Sequence, residues 1–131
     1  LCKDGQRLAP IQPRLIHGDF HIRQLLADHG EIVFLDFDEF ALGDPLRDVA
    51  NFVVDLHYAD FAPDFVRQMM VSFLKSYRQS ADFVVDADRL RWQLRYLFLT
   101  KAYRAYRQHK ADLSKIVEAS FVLADAACKF I

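Results

Sequence analysis

Between Leu15 and Phe52 the chain reads LIHGDFHIRQLLADHGEIVFLDFDEFALGDPLRDVANF, and within it the run Ile32-Val33-Phe34-Leu35 constrains the fold most. Being β-branched, aromatic and bounded by Gly30, this run predicts a strand over Glu31 to Asp36. Asp28-His29-Gly30 has turn chemistry, and Gln24 to Ala27 ahead of it is a second short apolar run, so the two predict a hairpin. A hairpin returns the chain to where it left. Asp19, on the loop leading in, and Asp36, at the exit, are thereby expected at one end of it.

After Asp36 the apolar period becomes helical. Asp44 has the position of an N-cap with Pro45 at the first helical residue, and Leu46, Val49, Ala50, Val53 and Leu56 follow at helical intervals to Tyr58. Pro63 opens a second helix with Val66, Met70, Phe73, Leu74 and Tyr77. Asp86 caps a long third helix to about Gln108, and a fourth is expected from Asp112 to about Lys129. The expected class is α+β and mostly helical, with a small β-hairpin and about four helices.

Composition sets limits on function. With 131 residues, 53% hydrophobic and 27% charged, the chain suits one folded domain spanning 1–131. A net charge of −1 gives no general attraction to nucleic acid or anionic membrane. Its apolar runs are short and broken by charges, so neither a membrane span nor a signal peptide is visible, and a cytoplasmic setting is the default. Cys2 and Cys128 lack metal-type spacing and read as free thiols.

The polar residues around the hairpin suit one chemistry. Moving a phosphoryl group from ATP to a hydroxyl needs a carboxylate beside the attacking oxygen and further oxygen ligands for magnesium. Asp19 fits the first role and Asp36 the second. Gln24 stands five residues after Asp19, the spacing at which kinase catalytic loops place a metal-binding Asn, and its carbonyl is also a hard oxygen donor. His-Gly-Asp alone is a weak signal. The ordered combination of Asp19, Gln24, a strand ending near Asp36, and Gly43-Asp44-Pro45 is much stronger.

That combination resembles the aminoglycoside phosphotransferase and choline kinase superfamily, small-molecule kinases with a protein-kinase-like fold. The resemblance implies that Asp19 is the catalytic base, that His17 supports the loop, and that Asp36 and Gln24 bind Mg²⁺ and through it ATP or GTP. Gly18, Asp44 and Asp48 would be structural support, Gly43-Asp44-Pro45 with Asp48 resembling the family's Gly-Asp-Pro segment. Gln24 departs from the usual Asn, which keeps open a pseudokinase that binds a nucleotide or partner without phosphoryl transfer. The resemblance covers roughly the first two-fifths of the chain. It implies a catalytic and metal-binding segment at 14–44 and a helical subdomain at 45–131, together forming a C-terminal lobe. The chain begins Leu1-Cys2-Lys3 and has no Gly-rich loop among Gly5, Gly18, Gly30 and Gly43, so the N-terminal lobe is expected as a missing partner and the chain alone as inactive. The acceptor would be a small-molecule hydroxyl, on an aminoglycoside, a sugar or an amino alcohol; the oligomeric state is left open.

Plainer roles stand beside these. Asp19 suits a turn after Gly18, and Asp36 a strand end, although burial of Ile32 to Leu35 would require a reason for the carboxylate that follows. Arg23 reads as an exposed or ion-paired loop residue, and Asp38 as a supporting or surface group. Arg89, Arg91, Arg95, Lys101, Arg104, Arg107 and Lys110 alternate with Trp92, Tyr96, Tyr103 and Tyr106, a mixture that also occurs on nucleic-acid-binding surfaces. The charges spread around the helix, however, which favours basic stems covering a core edge, with Tyr and Trp shaping an acceptor pocket. Asp55, Asp60 and Asp64 are expected on a solvated surface, or in that pocket if they face it.

Overall fold

His29 and Gly30 both have positive φ, 46° and 87°, the requirement of a two-residue turn whose twist matches its strands. The turn joins β2 (Leu25–Asp28) to β3 (Glu31–Phe34) in an antiparallel hairpin with Leu25 opposite Phe34 and Asp28 opposite Glu31. A computed structural model of the chain describes residues 8–108 without a break, together with residues 5, 114, 117, 118, 121, 122, 125 and 126. A second antiparallel pair joins β1 (Arg14–Ile16) to β4 (Ala41–Gly43), so the hairpin and the loop before it lie between paired strands.

Three helices follow. In α1 (Pro45–Tyr58), Asp44 caps the N-terminus by accepting from the Leu46 N–H at 3.0 Å, and Pro45 occupies the first turn, where no N–H is required. Pro63 likewise opens α2 (Pro63–Ser80), and α3 (Ala87–Arg107) starts where Asp86 accepts from the N–H groups of Asp88 and Arg89. The expected Asp112–Lys129 helix lies mostly outside the described residues, as do Cys2 and Cys128.

The core forms around α1, which is buried on most sides. Leu46, Val49, Ala50, Val53 and Val54 pack with Met70 and Leu74 of α2 and Leu90, Leu94, Leu97 and Phe98 of α3. A smaller cluster of Phe20, Phe52, Leu56 and Val66 extends it toward the hairpin. Phe20 stacks on Phe52 with 5.2 Å between ring centroids, tying the loop after β1 to the helical core.

Two expectations about the hairpin are corrected. The strand stops at Phe34 rather than Asp36: the Leu35 N–H still donates to the Gln24 carbonyl at 2.9 Å, and Asp36 then turns into the left-handed region with φ 60°. Nor are Ile32, Val33 and Phe34 buried. They are 60%, 49% and 50% exposed, because the hairpin pairs only with itself and meets the rest of the chain chiefly where Phe34 stacks on Phe20. No helix among the described residues is long and apolar enough to cross a membrane.

Candidate active site

The loop from His17 to Arg23 lies along α1, and that helix carries a polar stripe to receive it. Asp44, at the N-cap, and Asp48, Asn51 and Asp55 recur at three- and four-residue intervals along a mostly apolar helix, which places them on one face. Asp48 accepts from the His17 N–H at 2.6 Å with one carboxylate oxygen and from the Gly18 N–H at 3.0 Å with the other. Asn51 approaches the Gly18 carbonyl at 3.4 Å. Asp55 lies 3.5 Å from the Arg23 guanidinium. Burial pushes the Asp48 carboxyl above its ordinary value, opposed by the two backbone donors that it binds.

Gly18 is required where it stands. Its φ is 89°, and a Cβ there would fall 2.3 Å from the Glu39 carbonyl oxygen. His17 is buried, with Nε2 donating to the Leu35 carbonyl at 2.8 Å and its ring against Phe20 and Phe37. The carbonyl can only accept, so the ring proton resides on Nε2. His17 is thus a clamp between the loop and the end of β3, and a positioning residue. Asp19, next in sequence, is exposed, with its carboxylate 3.6 Å from His21 Nε2.

Gln24 and Asp36 meet across the open end of the hairpin. Gln24 is buried, and its Nε2 donates to Asp36 Oδ2 at 3.0 Å, just beyond the last backbone bond of the ladder. This bond leaves the Gln24 carbonyl and the second Asp36 oxygen as hard donors of the kind magnesium takes. Among the described residues no three His, Cys, Asp or Glu side chains gather as a metal cage. An ion here would therefore need oxygens from a phosphate and from water as well, the usual manner of magnesium binding.

Asp44 does more than cap α1. Its second oxygen accepts from Arg89 Nη1 at 2.9 Å and Gln93 Nε2 at 3.0 Å, tying the start of α1 to α3. Asp55 corrects the expectation of a solvated surface. It is only 5% exposed, and Lys101 Nζ lies 3.1 Å from its Oδ1, a partner forty-six residues away that its own helix does not reveal. Asp60, Asp64 and Asp38 are exposed, and so is Arg23 apart from its ion pair. Arg89, Arg91, Arg95 and Lys101 are each ion-paired with an aspartate; Lys110 lies outside the described residues.

Beside Asp19 a cleft of about 140 Å³ opens between α1 and α3, with Asn51, Tyr96 and Thr100 in its wall. It continues at Lys101 and Arg104 into a groove of about 730 Å³ bordered by Tyr58 and Phe61. Asn51 and Arg104 carry no motif of their own. The polar stripe on α1 is the signal by which Asn51 and the buried Asp55 can be found in the sequence.

A family model described as the phosphotransferase enzyme family matches residues 4–84, more than half of the 131-residue chain. No curated protein matches the chain.

Proposed function

The chain belongs to the phosphotransferase enzyme family, and from that premise we propose that it is the C-terminal lobe of a kinase acting on a small molecule. The donor is the γ-phosphoryl group of ATP or GTP, and the acceptor is a hydroxyl, as on an aminoglycoside, a sugar or an amino alcohol. Residues 14–44 form the catalytic and metal-binding segment, and 45–131 the helical subdomain. The observation that carries this reading is the bond from Gln24 to Asp36 at 3.0 Å. It unites the loop that begins at Asp19 with Asp36, just past the hairpin, and supports a reading in which Gln takes the place of Asn.

In the proposed reaction Asp19 accepts the proton of the acceptor hydroxyl as its oxygen bonds to the γ-phosphorus. The bond from that phosphorus to the bridging oxygen breaks, and its electron pair leaves with the nucleoside diphosphate. Gln24 and Asp36 would hold Mg²⁺, which when bound neutralises phosphate charge. His17 and Asp48 fix the loop backbone on either side of Gly18, so Asp19 need not be ordered anew for each turnover.

A separate N-terminal lobe is part of the proposal. It would supply the phosphate-covering loop and cover the exposed hairpin face that carries Leu26 and Val33. Titration of Mg·ATP and Mg·GTP into the full-length protein tests the nucleotide site. Magnesium-dependent binding of one or both, lost in Asp36→Ala, is the expected result. A folded wild-type protein that binds neither would make the chain a partner-binding module instead.

A further inference from the structure

The walls of the cleft beside Asp19 are unevenly charged. Three cationic side chains, Arg47, Lys101 and Arg104, line it, and Asp19 is its only carboxylate among the described residues. Lys101 is neutralised by the buried Asp55, which also faces Arg23. Arg47 and Arg104 have no ion-pair partner among the described residues, although Arg47 acts through space on Asp48. Two exposed arginines thus border a small space next to the proposed base without an ion-pair partner among the described residues.

These arginines lie apart from the metal-binding pair, since neither Gln24 nor Asp36 lines this cleft or the groove beyond it. They stand instead beside Asp19, where the proposed reaction places the acceptor hydroxyl. At about 140 Å³ the cleft holds only one end of a ligand, and the groove beyond Lys101 and Arg104 offers room for the rest between Tyr58 and Phe61. The exposed Asp60 on that groove is the one acidic group there not already paired.

We infer that the acceptor carries an anionic group, a carboxylate or a phosphate, near its reacting hydroxyl, held by Arg104 together with Arg47. This rests on the phosphotransferase reading given above. Guanidinium groups pair with both anions in two-pronged fashion, and a cationic acceptor would meet two arginines that have no ion-pair partner among the described residues. Selection works by attraction and repulsion together, against amino alcohols and for hydroxy acids or phosphorylated polyols.

Four probes on one three-carbon skeleton test this by calorimetric titration into the full-length protein: glycerol, glycerate, glycerol 3-phosphate and 3-amino-1,2-propanediol. One or both anions should bind at least about tenfold more tightly than glycerol, and the amine no better than glycerol. The order of the two anions tells carboxylate from phosphate recognition. Arg104→Glu should remove the gain while leaving Mg·ATP affinity within about twofold, and Arg104→Lys should retain part of it. An amine that binds as well as the anions, anions no better than glycerol, or a gain that survives Arg104→Glu would each overturn the inference. Mg·ATP binding without anion preference would sink this inference alone, whereas anion preference without Mg·ATP binding would sink the phosphotransferase reading and with it the assignment of the bound anion as an acceptor.

Discussion

At Gly18 one residue meets two demands. Its backbone is in the left-handed region, and its α-carbon faces the Glu39 carbonyl too closely for any side chain. Both keep the His17 and Gly18 N–H groups aimed at Asp48, which in turn presents Asp19 to the cleft. Gly18→Ala should therefore destabilise the protein by at least ~1–2 kcal/mol from conformation alone, with the clash added. Urea unfolding measures this; a variant as stable as wild type would mean that the loop has another low-energy path. Outside the hairpin turn, Asp36 is also in the left-handed region, at φ 60°. Aspartate tolerates that region better than most residues, and there it ends the strand and turns its carboxylate to Gln24.

Among the elements, α1 organises the site. Its apolar residues build the core, and Asp44, Asp48, Asn51 and Asp55 along one side hold α3 and the catalytic loop. The Arg89 to Asp44 pair is the joint between α1 and α3, with both side chains mostly buried. Arg89→Ala leaves a largely buried carboxylate short of a cation and should cost about 2–3 kcal/mol, read by thermal or urea unfolding. A loss under about 0.5 kcal/mol would mark the pair as an ordinary surface bridge. Much of this scale was legible in the sequence. Asp44-Pro45, Pro63 and Asp86 announce the helix starts, and Asp28-His29-Gly30 the hairpin turn, because caps and tight turns are local chemistry. Partners distant in sequence were not legible: Lys101 burying Asp55, and Arg89 and Gln93 on Asp44, depend on how the elements pack. The exposure of β3 was hidden for a related reason, since an apolar strand looks the same whether or not another surface covers it.

At the scale of the whole molecule, Leu26 and Val33 lie exposed on one face of the hairpin, opposite the face on which Phe34 stacks with Phe20, and Leu15 and Leu42 are exposed on the β1–β4 pair. A separate N-terminal lobe seated there would bury this face and complete the nucleotide site. The isolated 131-residue chain should accordingly transfer no phosphate and show a size in sedimentation that rises with concentration. Phosphoryl transfer by it alone would contradict the two-lobe architecture. The central claim, that Asp19 works as the base of a phosphoryl transfer, is tested most directly by acceptor-dependent ADP formation from Mg·ATP in the full-length protein, using a panel of hydroxyl compounds, with wild type beside Asp19→Asn. The account predicts a rate that depends on acceptor and falls by on the order of 10² to 10⁴ in the variant. A variant within threefold of wild type, or no acceptor-dependent ADP at all from a folded wild-type protein, would contradict it.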